Sequence, residues 1–355
     1  MSALTTADPK TESSATQGLA GALGRLFRIQ AFGPFVALVA VYLFFTFKAD
    51  GFATGNTFSL ILQQTIEVGV LGIGQTLIIL TAGIDLSCGL VMAFGTIVMA
   101  KLATAGGEGS SGLGWNPWIA ILMGILACVA FGLLNGVLVT NFKLPSFIVT
   151  LGTLGIATAA TAIYSNSETF SDLPRELTFL GETFGFDNPV TDLLHISGTE
   201  FTYGTLVMLG LFAITWFVLN QTAVGRHVYA LGDSPESVRR SGVHVSKLLI
   251  GVYAVAGLAY GIAGYLLVAR TGVGDPAAGQ TDNLDSITAV VIGGTSLFGG
   301  RGTIVGTLIG ALIVSVFRAG LVQMGIDSSY QVLITGILVI LAVAADQFLR
   351  SRVRT

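Results

Sequence analysis

Long apolar runs fill most of this chain, and they constrain its fold more than any other feature. The hydrocarbon core of a membrane is about 30 Å thick, and a helix of about 20 apolar residues crosses it. Ten such runs can be marked: Ile29–Phe47, Phe58–Ala82, Leu86–Ala105, Trp118–Thr140, Ser146–Tyr164, Tyr203–Leu219, Leu248–Ala269, Leu284–Phe298, Gly302–Val322 and Tyr330–Ala345. The sequence therefore predicts an all-α, polytopic membrane protein with about ten transmembrane helices.

Two places depart from this regular pattern. The run Leu284–Phe298 is short, and the second and third runs are separated only by Gly83, Ile84 and Asp85. Irregular backbone is tolerated at membrane depth only where protein or a water-filled cavity surrounds it. A re-entrant or broken helix is therefore an open alternative at either place.

Composition agrees with the membrane class and excludes several functions. Charged residues make up 10% of the chain, whereas about a quarter of the residues of a soluble domain are charged. The net charge of −3 and the lack of a basic patch interleaved with aromatic residues give no sign of nucleic-acid binding. Cys88 and Cys128 both fall in apolar runs far apart in sequence, so neither a disulfide framework nor a metal site is expected.

The distribution of positive charge predicts the orientation. Cytoplasmic loops of membrane proteins carry an excess of Lys and Arg. If the amino terminus is cytoplasmic, twelve of these residues fall inside, four fall outside and Arg318 lies within a run. The inner set is Lys10, Arg25, Arg28, Lys143, Arg226, Arg239, Arg240, Lys247, Arg301, Arg350, Arg352 and Arg354, and the outer set is Lys48, Lys101, Arg175 and Arg270. Both termini are therefore predicted to be cytoplasmic.

Three regions follow from the same pattern. Residues 1–28 contain no apolar core and are expected to form a disordered cytoplasmic tail. Residues 29–348 form the transmembrane domain, and residues 349–355 form a basic cytoplasmic tail. The outer loop 166–202 holds seven acids and one arginine. It is either a lid or docking surface for something outside the membrane, or a solvated connection.

Counting the runs also suggests internal symmetry. The second to fifth runs start from outside, whereas the seventh to tenth start from inside. The two sets are therefore predicted to form an inverted repeat across the membrane plane, as occurs in transporters.

One polar interruption, Gly225–Lys247, stands out within the cytoplasmic loop 220–247. Ser234 can cap a helix that Pro235 opens, and Gly242 can end it. A helix this short is marginal in water, so it needs a binding surface. That surface is either a partner protein or, alternatively, the lipid headgroups of the membrane. The residues predicted to form this docking element are Ser234, Pro235, Glu236, Ser237, Val238, Arg239, Arg240 and Gly242.

Polar residues inside the runs are candidates for a solute pathway, because burying them in a membrane is costly. Gln64, Glu67 and Gln75 share a helical face with Leu71, and this face can line a polar cavity or form an interhelical hydrogen-bond seam. Asp85 and Ser87 can cap the helix that follows them. The complete predicted pathway set is Gln64, Glu67, Gln75, Asp85, Ser87, Asn135 and Phe147.

Four segments carry a resemblance to a known family. They are GIDLSCGLVMAFG (83–95), LPSFIVTLGTLGIATA (144–159), GRHVYALGDSPESVRRSGVHV (225–245) and LDSITAVVIGGTSLFGGRGTIVGTLIGA (284–311). In this order they resemble the permease subunits of ribose-type (simple-sugar) ABC importers, over most of residues 56–346. The long amino-terminal tail and the acidic loop 166–202 depart from the family pattern.

The resemblance implies a monosaccharide pathway formed with a second permease copy, an extracytoplasmic sugar-binding protein and an ATPase subunit. It also implies that the 235–242 segment is the coupling helix that seats in the ATPase. None of the five lysines follows a glycine, so the phosphate-binding motif G-x-x-x-x-G-K-[ST] is absent. ATP is therefore expected to bind the partner subunit, and this chain is expected to be neither an enzyme nor a cofactor carrier.

An alternative class is a secondary carrier driven by an ion gradient. Such a carrier usually arranges intramembrane carboxylates or broken helices for ion coordination, and Glu67 is the residue that favours it.

Overall fold

The protein forms a bundle of long helices. The computed structural model describes residues 31–106, 111–185 and 199–353. Its first seven helices are α1 Phe32–Lys48, α2 Gly55–Leu80, α3 Cys88–Ala103, α4 Pro117–Asn141, α5 Ser146–Ser165, the single turn α6 Arg175–Thr178 and α7 Tyr203–Gln221. The remaining six are α8 Ala223–Asp233, α9 Pro235–Arg240, α10 Val245–Thr271, α11 Asp282–Ile292, α12 Ile304–Gln323 and α13 Ser328–Val353. A 3₁₀ turn, Phe179–Gly181, follows α6.

Capping residues explain where several of these helices begin. The Thr54 side chain accepts a hydrogen bond from the Thr57 N–H at the start of α2, and Thr303 does the same for the Gly306 N–H at the start of α12. Asn116 caps α4, which opens on Pro117. Each cap satisfies a backbone N–H that the first helical turn leaves without a partner.

Three of the long helices form the centre of the bundle. In the most apolar stretches of α2, α10 and α12, 72%, 78% and 67% of the residues are buried, compared with 33% for α4 and 28% for α5 and α7. The peripheral helices bury one face on this centre and expose large apolar side chains on the other, such as Ile163 and Trp216. In the described part of the chain, six helices are long and apolar enough to cross a membrane.

Glycine lets α4 and α10 cross closely. A Cβ atom on Gly132 of α4 would lie 2.3 Å from the Tyr253 carbonyl oxygen, and one on Gly257 of α10 would lie 2.5 Å from the Cys128 carbonyl oxygen. Small residues at such crossings allow two backbones to pack in van der Waals contact inside a membrane.

The first predicted irregular place, 83–85, lies in a break between helices, and a second break precedes the other place, Leu284–Phe298. After α2 ends at Leu80, the chain folds back along it, because the Gln75 side chain donates to the Asp85 carbonyl. Gln75 lies five residues before the end of α2, which is about 7.5 Å of helix, so α3 begins inside the bundle. The second break, 272–281, follows α10. There α11 begins at Asp282, which binds Arg318 inside the last turns of α12.

The two breaks correct the predicted runs. The eighth run, Leu284–Phe298, is an eleven-residue helix, α11, followed by a turn through 293–303 with positive φ at Gly294, Gly299 and Gly300. Glycine reaches these backbone angles without the strain that a Cβ atom brings. α3 begins at Cys88 instead of Leu86.

The outer loop 166–202 adds a small strand pair to the helical fold. Strands β1 (Thr183–Gly185) and β2 (Glu200–Thr202) pair antiparallel, and the Arg175 side chain donates to Glu182 just before β1. These hydrogen bonds lower the pKa of the Glu182 carboxyl below its usual value. Residues 186–198 of this loop lie outside the described residues, as does the predicted tail 1–28. α13 continues to Val353, into the segment predicted as a basic tail.

Candidate functional site

The helix predicted in the polar interruption is present as α9. The Ser234 side chain accepts from the Ser237 N–H (3.3 Å), and Pro235 is the first helical residue. At the other end, Gly242 has a φ of +84° and donates its N–H to Arg239, while Val243 donates to Val238. This is the Schellman arrangement, in which a glycine at positive φ satisfies the last helical carbonyls.

One face of α9 is free and charged. Glu236, Arg239 and Arg240 are exposed, with Arg239 3.1 Å and Arg240 3.3 Å from the Glu236 carboxylate. Exposed ion pairs stabilise a helix by less than about 1 kcal/mol. Val238 is buried with 3% exposure, so this single apolar side chain holds α9 on the bundle and leaves the charges facing solvent.

α8 connects α9 rigidly to the ends of the long helices. A Cβ atom on Gly232 would lie 1.9 Å from the Leu80 carbonyl oxygen and 2.4 Å from the Gly300 nitrogen. The Tyr229 hydroxyl donates to the Gly302 carbonyl (2.9 Å), and the Gly300 N–H donates to Leu80 (3.0 Å). α8 therefore packs directly against the end of α2 and against the turn that precedes α12.

Four of the predicted pathway residues meet in one buried group, which we call the Asp85 cluster: Gln75, Asp85, Ser87, Asn135 and Tyr260. The Asp85 carboxylate accepts from the Ser87 N–H (2.8 Å), the Ser87 hydroxyl (2.6 Å) and the Tyr260 hydroxyl (3.1 Å). Asn135 Nδ2 donates to the Ser87 hydroxyl at 3.2 Å. All five side chains are at most 1% exposed, so the cluster ties α2, α3, α4 and α10 together.

Of the two predicted caps, Asp85 accepts a hydrogen bond from the Ser87 N–H at the start of the third predicted run, Leu86–Ala105, whereas Ser87 does not act as a cap. Ser87 is the N-cap residue, but its side chain makes no hydrogen bond to the first turn. The reason is that its hydroxyl is taken up by the Asp85 carboxylate and by Asn135.

Glu67 belongs to a second group, which we call the Glu67 cluster: Glu67, Arg270, Asp282, Asp285 and Arg318. The Glu67 carboxylate lies 2.8 Å from Arg270 and 3.3 Å from Arg318. Arg318 also lies 3.2 Å from Asp282 and contacts Asp285. Buried charges are stable only when they are paired and hydrogen-bonded, and this cluster joins α2, α10, α11 and α12.

Sequence reasoning missed three members of the Glu67 cluster. Arg270 was assigned to an outer loop, yet its side chain is only 25% exposed and pairs with Glu67 inside the bundle. Asp285 fell inside the predicted run Leu284–Phe298 and Asp282 just before it, and neither was recognised, although their i, i+3 spacing places both on one face of a helical turn. A charged Glu67 and a charged Arg318 in separate runs were the available signal that an ion network exists.

The other two predicted pathway residues lie outside both clusters. Gln64 is half-buried, and its Oε1 atom has no hydrogen-bond partner among the described residues. Phe147 is 51% exposed on the outer face of α5. Glu67 and Gln75 bond to residues outside α2, as the predicted interhelical hydrogen-bond seam requires, and a polar cavity along the stripe stays a prediction.

A helical bundle with broken helices, glycine crossings and six described helices long and apolar enough to cross a membrane is typical of a multi-pass membrane protein. The model of the family described as branched-chain amino acid transport system / permease component matches residues 57–343, and the chain belongs to this family. The family assignment, which the four sequence segments predicted, is confirmed. With its apolar helices, it makes the chain a multi-pass protein of the inner membrane.

Relatives of known function are similar over nearly their whole length. The fructose import permease protein of Rhizobium meliloti is 44% identical over 323 residues, which cover 89% of this chain and 85% of the relative. The ribose import permease protein of Bacillus subtilis is 33% identical over 90% of this chain and 93% of the relative. The xylose transport system permease protein of Escherichia coli is 30% identical over 91% of this chain and 93% of the relative. No solved structure matches the chain.

Proposed function

We propose that this chain is the membrane-spanning permease subunit of an ABC importer for a monosaccharide. The observation that carries the proposal is the 44% identity, across 89% of the chain, to a fructose import permease. Relatives named for ribose, allose and xylose import widen the substrate class to neutral monosaccharides.

The free face of α9 is the proposed contact with the ATPase subunit. α9 is a short capped helix with exposed charges, and one buried valine holds it on the bundle. It is connected through α8 to the end of α2. These features suit an element that binds a partner protein and transmits its movement. In this arrangement the ATPase pair binds and hydrolyses ATP, and this chain supplies the pathway. A second permease copy, an extracytoplasmic sugar-binding protein and the surrounding lipid complete the proposed assembly.

The chain is further proposed to cross the membrane ten times as an inverted repeat, with both termini cytoplasmic. The packing supports the repeat: α10 packs on α3 and α4 in the first set, and α2 packs on α11 and α12 in the second. In the same way, α3 packs on α4 and α5, and α11 packs on α12 and α13. Each set also contains one break, 81–87 and 272–281.

Uptake by vesicles tests the proposal. The chain is reconstituted with its co-purifying ATPase and binding protein, and accumulation of labelled fructose, ribose and xylose is measured with and without ATP inside. We expect accumulation of one sugar that requires ATP and the ATPase. Accumulation that persists without ATP under an ion gradient would identify a secondary carrier instead.

A further inference from the structure

A groove lined by both polar and apolar side chains lies beside the Glu67 cluster, between α11, α12 and the first turns of α13. Its volume is about 420 Å³, within the range of roughly 300–1,000 Å³ that is typical of small-molecule sites. Its polar lining includes Thr281, Asp285, Arg318, Ser328, Gln331 and Thr335. Only Asp285 and Arg318 in this lining belong to the Glu67 cluster.

The lining offers both kinds of hydrogen-bonding group that a sugar requires. A sugar hydroxyl donates one hydrogen bond and accepts others. Arg318 has only donors, ionised Asp285 has only acceptors, and the Gln331 amide has both. The Arg318 side chain is 24% exposed although it contacts three carboxylates, so part of its guanidinium faces the groove.

The charge of the groove favours a neutral ligand. Three carboxylates in the Glu67 cluster face two guanidiniums, so the fully ionised cluster carries one excess negative charge. A like charge brought close to a partly buried carboxylate is repelled more strongly than in water. A sugar acid is therefore disfavoured, whereas a neutral sugar keeps the hydrogen bonds without the repulsion.

The groove also lies at the end of the bundle opposite α9. At that end, the Gln323 amide at the close of α12 donates to the Asp50 carbonyl before α2 (2.8 Å). α9 instead adjoins the other end of α2, through the contact of α8 with Leu80. In the proposed importer, the groove therefore lies on the side from which sugar enters.

We propose that this groove is a sugar-binding subsite of the permease, where Arg318, Asp285 and the α13 residues Gln331 and Thr335 contact the hydroxyls of a neutral monosaccharide on entry. The substrate class rests on the proposed function. The site itself rests on the groove and its lining, and it can be tested without transport.

Cysteine protection measures occupancy directly. Ser329 lines the groove and is exposed, whereas the native Cys88 and Cys128 are fully buried. The full chain carrying Ser329→Cys is placed in lipid nanodiscs and labelled with a small thiol reagent, with or without fructose. At a fructose concentration about ten times the Kd of fructose for the groove, labelling of Ser329→Cys is expected to slow roughly tenfold. Gluconate, a sugar acid, is expected to have little effect on labelling.

A second serine provides the matched control. Ser171 is exposed at the same end of the bundle, outside the groove, so labelling of Ser171→Cys is expected to be unchanged by fructose. Ribose and xylose are tested in the same way, and the sugar that is taken up in vesicles must be the one that protects. Uptake of a sugar that leaves Ser329→Cys labelling unchanged overturns the subsite.

The two proposals can fail separately. If a sugar protects Ser329→Cys from labelling but is not taken up by the vesicles, the subsite stands and the importer proposal is refuted. If no sugar protects and none is taken up, both proposals are refuted. In the Ser329→Cys background, Gln331→Leu and Thr335→Val are each expected to raise the fructose concentration for half-protection by roughly 2–10-fold, the effect of one lost hydrogen bond. Tyr330→Phe removes a hydroxyl that does not line the groove, and it is expected to cause no change. Equal effects of all three would also refute the subsite.

Discussion

Glu67 illustrates how one residue can hold several helices together. Its carboxylate, 4% exposed in the middle of α2, pairs with Arg270 of α10 and Arg318 of α12. Among the described residues, Glu67 is the only acid paired with Arg270. Arg318 has two further acids, so it tolerates loss of Glu67 better.

Glu67→Gln is therefore expected to destabilise the folded chain by leaving Arg270 without its ion pair. Loss of a hydrogen bond to a charged group costs roughly 1.5–3 kcal/mol, and the partial exposure of Arg270 favours the lower half of that range. The measurement is the melting temperature of the purified chain in detergent, which should fall by several degrees. Glu236→Gln is the matched control, because Glu236 is exposed on α9 and its ion pairs contribute little. Equal melting temperatures for the two variants would contradict this account.

Gly232 is a second residue whose identity the packing dictates. A methyl group there would overlap the Leu80 carbonyl and the Gly300 nitrogen, which are backbone atoms that cannot rotate away. Gly232→Ala is expected to push α8 from the end of α2 and to reduce sugar-stimulated ATPase activity of the assembled complex, with an overpacking cost of roughly 1–3 kcal/mol.

The control for Gly232→Ala is Gly155→Ala on α5. No described atom lies within 4 Å of a Cβ built on Gly155, and alanine is favoured over glycine in a helix by roughly 0.5–1 kcal/mol. This variant should be at least as stable as the natural chain and fully coupled. If both variants lose sugar-stimulated ATPase activity, the loss would be caused by reduced backbone flexibility at glycine and not by the close approach of α8 to α2.

At the scale of elements, α9 and the Glu67 cluster show what local sequence can and cannot predict. The start and end of α9 were predicted correctly, because Ser234, Pro235 and Gly242 act within one turn of themselves. The ion pairs of Glu67 join residues 203 and 251 positions apart. The charges of Glu67 and Arg318 inside apolar runs indicate that ion-pair partners exist, but a single sequence does not show which distant residues they are. Arg270 was therefore assigned to a loop, and the two aspartates of α11 were not recognised as part of a site.

The charged face of α9 gives the prediction that belongs to this scale. Reversing Arg239 to Glu places two acids on one short helix and is expected to abolish sugar-stimulated ATPase activity, because the partner surface would meet the opposite charge. The variant should still insert in the membrane, since Arg239 is exposed. Both insertion and ATPase activity are measured on the assembled complex.

Lys143→Glu is the matched charge reversal. Lys143 is exposed in the turn between α4 and α5, on the same end of the bundle, and outside α9. It should leave ATPase stimulation within about twofold of the natural chain, as expected for a rim charge. Equal losses in the two variants would assign the effect to the general charge of this end of the bundle.

At the scale of the whole molecule, α2 links the two ends. Its end at Leu80 contacts α8, Gln75 belongs to the Asp85 cluster, and Glu67 belongs to the Glu67 cluster. Thirteen helical residues separate Leu80 from Glu67, a distance of about 20 Å. A shift of α8 can therefore reach the Glu67 cluster and the adjoining groove through one rigid helix, without any contact between the two ends.

This coupling requires the two ends to lie on opposite sides of the membrane, which labelling can test. Cysteines are introduced singly at Ser237 on α9 and at Ser171 before α6, and both sites are exposed. Cys88 and Cys128 are buried and should contribute little background. In intact cells, a maleimide that cannot cross membranes is expected to label Ser171→Cys and to leave Ser237→Cys unlabelled until the cells are opened. Because the reagent reaches only the outer surface, labelling of Ser237→Cys in intact cells would place α9 outside, where no ATPase subunit could bind it.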